Sequence, residues 1–185
     1  MNATGLIVMG VAGCGKTTIG MALAARLGWD FFDADEYHPP ANVAKMAAGI
    51  PLDDGDRVPW LAALHERLIQ TLRAGGHPVL ACSALKQRYR ETLLKGIDGV
   101  RVVHLRGSYD LIIARMNDRT DHYMKPGMLR SQFDALEEPQ DALTVDITPA
   151  AEEIVENILF LLHKEDGNPA PAVRNGRKSA DSPRR

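Results

Sequence analysis

Near its start the chain reads Gly10-Val11-Ala12-Gly13-Cys14-Gly15-Lys16-Thr17, which fits G-x-x-x-x-G-K-[ST] without a mismatch. The flanks fit too. Leu6-Ile7-Val8-Met9 is an apolar run stopped by glycine, the pattern of a buried strand. From Thr17 to Leu27 the apolar Ile19, Leu23 and Leu27 recur four apart, and Gly28 supplies a helix stop. A strand, a glycine-rich turn and a helix in this order form a cradle for a polyphosphate. Backbone N–H groups wrap the anion, and glycine keeps side chains out of their way. The helix aims its unpaired N–H groups and positive dipole end at the same place. Lys16 reaches the β- and γ-phosphates as a mobile point charge, and the Thr17 hydroxyl is a ligand for Mg²⁺. Residues Gly10 to Thr18 are thus expected to bind ATP with Mg²⁺.

The rest of the chain repeats strand and helix. Phe31-Phe32 opens a second strand that ends in Asp33-Ala34-Asp35, and a short helix is expected around Asn42 to Ala48. Pro59 sits where a helix can begin, with Leu61, Leu64, Leu68 and Leu72 as its buried stripe. Val79 to Cys82 and Val100 to Leu105 read as strands three and four, with a helix from about Leu85 to Leu94 between them. Ser108 caps a helix bearing Leu111, Ile112 and Met116. Residues 119–128 read as polar and irregular, Leu129 to Leu136 as helix, Leu143 to Ile147 as a fifth strand, and Ala150 to about His163 as the last helix. Alternation of this kind predicts an α/β fold, with a parallel sheet covered by helices on both faces and ligands beyond the carboxyl ends of its strands.

The residues at the strand ends narrow the class of phosphate chemistry. No Asn-Lys-x-Asp base-reading motif of a GTPase is present, and strand three ends in Cys82-Ser83-Ala84 rather than in an acidic residue. Acidic groups come after strand two, as Asp33 and Asp35. Residues two apart on a strand point the same way, so both carboxylates are expected to face the cradle, one near Mg²⁺ and one near an acceptor hydroxyl. Strand-end turns also favour Asp, which is the plainer reading of the pair. Residues 35–60 are dense in His, Asn, Lys, Asp, Arg and Trp. Lys45 and Arg57 suit a carboxylate, Asp35, His38 and Asn42 suit hydroxyls, and Trp60 suits the C–H face of a sugar chain. His38, Asn42 and Lys45 would share a face of one helix.

This stretch resembles the gluconate kinase family. After the phosphate loop come D-x-D-x-x-H-P-x-x-N-x-x-K-M, then G-x-P-L-x-D-x-D-R-x-P-W, then C-S-A-L-K-x-x-Y-R at Cys82 to Arg90. His122, Met124 and Ser131-Gln132-Phe133 match a lid-like region, followed by Leu136-Glu137 and Pro139. The resemblance runs from about Leu6 to His163. It implies a P-loop fold like the nucleoside-monophosphate kinases, with a five-stranded parallel sheet and a mobile lid at about 119–128. It implies transfer of the ATP γ-phosphoryl group to the 6-hydroxyl of D-gluconate, and the family often forms homodimers. By analogy with related small-molecule kinases, Asp33 holds Mg²⁺ through water while Asp35 orients the acceptor hydroxyl and takes its proton, although residue types alone leave open which aspartate is the base. Arg115 and Arg119, four apart at the edge of the lid, either close over the nucleotide and the moving phosphoryl group or form a solvated basic face. Lys86 and Arg90 either help bind the acceptor or belong to a surface helix. Two other readings stay open: a shikimate or nucleoside-monophosphate kinase, and a nucleotide-binding switch without catalysis.

Composition sets the surroundings. The 185 residues carry 22 Lys+Arg and 24 Asp+Glu, a net charge of −2, so no strong basic field exists to hold nucleic acid. No apolar run approaches the about 20 residues that span a membrane, and no signal-peptide pattern opens the chain, so a cytoplasmic location is expected. From Asp166 onward Gly, Asn, Pro, Ser and Arg dominate, which predicts a kinase domain over 1–165 and a disordered tail over 166–185. Cys14 and Cys82 are too few for a disulfide scaffold, and Cys14, set among N–H dipoles, is expected to have a lowered thiol pKa and redox sensitivity. His65, His77, His104 and His163 show no metal spacing.

Overall fold

The computed structural model describes residues 3–117 and 126–165. The stretch expected to be a lid, with Arg119, His122 and Met124, falls mostly outside these residues, as does the expected tail. The chain runs β1 (Gly5–Met9), α1 (Lys16–Leu27), β2 (Asp30–Asp33), a 3₁₀ turn (Ala34–Tyr37), α2 (Pro40–Ala47), α3 (Asp54–Arg73), β3 (Pro78–Ala81), α4 (Gln87–Leu94), β4 (Val100–Arg106), α5 (Tyr109–Asn117), α6 (Pro126–Ala135), β5 (Leu143–Asp146) and α7 (Ala151–Glu165). Among the described residues, five strands form one sheet in the order β2-β3-β1-β4-β5, and every pairing is parallel. From central β1 the chain builds β2 and β3 on one side, then β4 and β5 on the other. The crevice of such a sheet opens at the carboxyl end of β1, where the glycine-rich loop lies.

Alternation along β1 divides the core. Leu6 and Val8 pack into a cluster with Leu23, Ile112, Leu129, Ile154 and Ile158, while Ile7 and Met9 face Leu64, Leu68, Leu80 and Leu93. Both faces are buried, which is why β1 reads as a continuous apolar run rather than an alternating one. Gly28 ends α1 in a left-handed turn (φ 68°) and donates its N–H to Ala24 O. Ser108 caps α5, its hydroxyl accepting from Leu111 N at 3.2 Å. No helix among the described residues is long and apolar enough to cross a membrane.

Two helix starts differ by three residues or more from the sequence expectation. Helix α3 begins at Asp54 and runs through Pro59. A reciprocal cap starts it early: Asp53 Oδ1 accepts from Asp56 N at 2.8 Å, and Asp56 Oδ2 accepts from Asp53 N at 3.0 Å. The i−4 carbonyl that Pro59 cannot serve belongs to exposed Gly55, where water can serve it instead. Helix α6 begins at Pro126 rather than Leu129. A proline at the first helical turn explains this, since its missing N–H would have no partner there anyway.

Candidate active site

The phosphate loop takes its shape from three glycines with positive φ, Gly10 (146°), Gly13 (79°) and Gly15 (97°). At Gly10 a Cβ would stand 2.8 Å from Leu105 O and from Cys14 Sγ, so the loop crosses the end of β4 too closely for any side chain. Lys16 folds back over the loop and donates to Val11 O at 3.1 Å. Cys14 is 1% exposed beneath it, and burial pushes its thiol above the ordinary value against the opposing pull of Lys16. This corrects the expected lowered pKa: the N–H dipoles are present, but desolvation of the thiolate outweighs them. Burial likewise pushes the Cys82 thiol up to about 12.

Thr17 and Asp33 meet across the cradle, the hydroxyl donating to Asp33 Oδ2 at 2.8 Å. Asp33 Oδ1 accepts from Asp35 N at 3.1 Å, so Asp33, the last residue of β2, also caps the turn that carries Asp35. The two aspartates are therefore not neighbours on one strand, yet both line a cavity of about 370 Å³ with Lys16, Thr17, His38, Arg57 and Trp60. Among the described residues no group of three or more His, Cys, Asp or Glu side chains could hold a metal ion. The Thr17–Asp33 pair nevertheless suits Mg²⁺, which takes hard oxygens and commonly uses one or two protein ligands, with phosphate and water supplying the rest.

The acceptor side of the cavity is built from side chains. His38 stacks on Trp60 with ring centroids 4.6 Å apart and planes 9° apart. Trp60 is 2% exposed and donates Nε1–H to Ala34 O at 2.7 Å, so it forms a floor beneath His38 rather than an open wall. Burial lowers the His38 pKa, Asp35 opposes this and Arg57 adds to it, which keeps the imidazole neutral near pH 7. Arg57 is held by the carbonyls of Leu52 (2.6 Å) and Asp53 (3.0 Å).

Four residues expected to touch the acceptor lie outside this lining. Asn42 is buried, donating Nδ2–H to Asp56 O at 2.8 Å and facing His38 Nδ1 at 3.5 Å. Lys45 pairs with Asp56 at 2.6 Å and depresses its carboxyl pKa. Lys86 pairs with Asp54 at 3.1 Å, and Arg88 and the Tyr89 hydroxyl bind the same carboxylate. Arg90 is buried and clamps the carbonyls of Ala84 and Leu85, each at 3.0 Å. Ala84 holds φ 40°, a conformation that costs an L-residue about 1 kcal/mol, and the Arg90 clamp offsets that strain. Ser83, just before it, lines the cavity.

On the other side of the loop a second cavity, of about 340 Å³, is bordered by Cys14, Gly15, Thr18, Arg115 and Pro149. Arg115 donates to Ile147 O at 2.6 Å, which ties α5 to the segment after β5. Arg119, its expected companion, lies outside the described residues. Sequence reasoning gave no site role to Ser83, Met46, Leu52, Ser131 or Gln132, all of which line the first cavity. The family resemblance marks Ser131-Gln132 by pattern alone.

A family model described as shikimate kinase matches residues 12–159. A probable gluconokinase of Mus musculus is 42% identical over 183 residues, covering 88% of this chain and 100% of that protein. A gluconokinase of Gluconobacter oxydans is 48% identical over 136 residues, covering 74% of this chain and 76% of that one. The crystal structure of a gluconokinase from Sinorhizobium meliloti is 40% identical and superimposes with a TM-score of 0.80, covering 87% of this chain and 92% of that one. The chain carries a shikimate kinase-family domain and, by these relatives, belongs to the gluconokinases.

Proposed function

We infer that the protein transfers the γ-phosphoryl group of ATP to the 6-hydroxyl of D-gluconate, giving 6-phospho-D-gluconate and ADP. The observation that carries this reading is one cavity in which the phosphate cradle and an Asp33–Asp35 pair open onto His38, Arg57 and Trp60. The second cavity, beside Arg115, suits the nucleotide base, so the triphosphate would lie across the loop between the two.

Phosphoryl transfer needs positioning and charge stabilisation more than covalent help. Lys16 leaves Val11 O for the β- and γ-phosphates. When bound, Mg²⁺ would neutralise phosphate charge, held by Thr17 and Asp33. Both Asp33 oxygens already have partners in Thr17 and the Asp35 N–H, which favours Asp35 as the carboxylate that orients the acceptor hydroxyl and takes its proton. The guanidinium of Arg57 suits the gluconate carboxylate. Neutral His38, with Nδ1 facing the Asn42 amide, offers a hydroxyl its Nε2–H as a donor. The stacked His38–Trp60 pair gives the sugar chain a flat surface.

ADP release, with and without gluconate, tests the reading, with shikimate and nucleoside monophosphates as competitors. Release that depends on gluconate is expected, with the other acceptors slower by orders of magnitude. A site built to hydrogen-bond a hydroxyl can reject an analogue lacking it by ~10⁴-fold. Equal rates with shikimate or a nucleotide would overturn the acceptor assignment, and ATP binding without release in any case would favour a non-catalytic switch.

A further inference from the structure

The two cavities give the loop a direction. Cys14 borders the one beside Arg115, Gly15 and Thr18 border both, and Ala12 and Gly13 border the one holding Asp33 and Asp35. On the phosphoryl-transfer reading above, a triphosphate with its base beside Arg115 therefore ends at Ala12 and Gly13. At that end the Ala12 N–H is already engaged. It donates to Gln132 Oε1 at 2.7 Å, across 120 residues of sequence.

Gln132 is brought there by a firmly seated helix. Leu129 of α6 is buried in the core, and Phe133 packs edge-on against Tyr109 with centroids 5.6 Å apart. Just past the helix, Glu137 N donates to Leu85 O at 2.9 Å, and its carboxylate accepts from Gln87 N at 2.6 Å. With Leu129 and Phe133 turned into the core, Ser131 and Gln132 face the cavity. The Gln132 oxygen occupies the hydrogen-bonding position that a phosphate oxygen would take, without its charge.

One N–H carries one hydrogen, so carboxamide and phosphate compete for it. A glutamine has a second option. Its terminal torsion is broad and roughly two-fold, so a half-turn brings Nε2–H to where Oε1 stood. An acceptor facing the phosphate then becomes a donor facing it. A glutamate has no such donor and would repel the anion.

We propose that Gln132 is a catalytic residue of the transfer: its Oε1 holds the Ala12 N–H until the triphosphate arrives, and its carboxamide then turns over and donates from Nε2 to an oxygen of the γ-phosphoryl group. Hydrogen bonds to charged groups are stronger than neutral ones, and this one forms where negative charge is being redistributed.

The test uses the full chain and three variants, Gln132→Ala, Gln132→Met and Gln132→Glu. Turnover is measured with gluconate, and dissociation constants for Mg–ADP and for its imido triphosphate analogue are measured without it. Gln132→Ala and Gln132→Met should lose on the order of 10- to 100-fold in kcat, as expected for one hydrogen bond to a charged group. Their analogue affinity should fall about 10-fold while ADP affinity stays within about twofold. Gln132→Glu should lose more analogue affinity than either. Equal losses for ADP and the analogue would mean that Gln132 only shapes the loop, and kcat within twofold of wild type in both neutral variants would end the proposal. Gln132→Met preserves side-chain volume should Gln132→Ala unfold. The nucleotide comparison needs no acceptor, so a mistaken acceptor assignment would silence the kcat arm and leave the affinity arm readable.

Discussion

The two halves of the cavity are made of different material. The donor half is backbone: a loop of positive-φ glycines and, among the described residues, one mobile cation, Lys16, resting on Val11 O. The acceptor half is side chain, and much of its charge is already spent. Lys45 is bound to Asp56, Lys86 and Arg88 to Asp54, and Arg57 to two carbonyls. A phosphate chain entering the first half draws Lys16 from Val11 O and takes the Ala12 N–H from Gln132, two single hydrogen bonds. A sugar acid entering the second has to draw Arg57 toward it while the neighbouring pairs stay intact. The donor half should therefore fail outright when Lys16 is removed, whereas losses in the acceptor half should be graded.

The largest effect tests the donor half. Lys16→Ala should lower turnover by on the order of 10³-fold or more, since no other described side chain takes its place over the loop. The thermal midpoint should stay within a few degrees, because Lys16 is anchored by one carbonyl. Turnover within tenfold of wild type would remove the contrast between the halves. Asp35→Asn comes next. It should cut kcat by ~10²- to 10³-fold, the range of a lost general base, and leave nucleotide affinity within twofold. A loss of Mg–ATP affinity instead would move Asp35 to the metal and make Asp33 the base.

The same contrast separates the features legible in the sequence from those that were not. The cradle was legible because all its parts lie within eight consecutive residues, and such a motif carries its own geometry. The central strands were legible because β1 and β3 are buried along their whole length. The pairing of Lys45 with Asp56, or of Lys86 with Asp54, was not. The charged residues of a sequence do not say which of them satisfy one another, and Lys86 and Asp54 are 32 positions apart. Asp53-Asp54-Gly55-Asp56 did carry the start of α3 in its cap spacing, but Pro59 was the louder signal and drew the boundary past it. Cys14 misled for a related reason: the motif shows the dipoles around it, and only packing shows the burial that outweighs them. Gln132 could be matched as a pattern but not given a partner, because its contact with Ala12 depends on where α6 settles.

Within the acceptor half, Arg57 and Lys45 separate a binding cation from a structural one. Arg57→Met should raise the gluconate KM about 10- to 100-fold, with the ATP KM little changed. Lys45→Met should leave the gluconate KM within about threefold and act on stability. The sign follows from Asp56, whose carboxyl is held below its ordinary 3.8 by Lys45. A depressed carboxylate stabilises the fold above its unfolded pKa and loses that contribution as pH falls through the folded one. Lys45→Met should thus flatten the loss of stability on acidification below about pH 4, measured by denaturant unfolding at successive pH values. A large rise in gluconate KM for Lys45→Met would place that lysine in the pocket after all.

The smallest effect concerns how the acceptor half is held in position. Asp53 does not itself line the cavity, yet its cap fixes the first turn of α3, and with it Arg57 and the Trp60 floor beneath His38. Asp53→Ala removes one reciprocal hydrogen bond and should cost about 1 kcal/mol in denaturant unfolding. Because the Asp53 backbone carbonyl that holds Arg57 survives the substitution, the gluconate KM should rise only severalfold and the ATP KM should not move. Asp53→Asn keeps a capping side chain and should recover most of both losses. If instead the alanine variant lost ATP affinity as much as gluconate affinity, the two halves would be mechanically one unit, and the division between a backbone-built donor site and a side-chain-built acceptor site would be only descriptive.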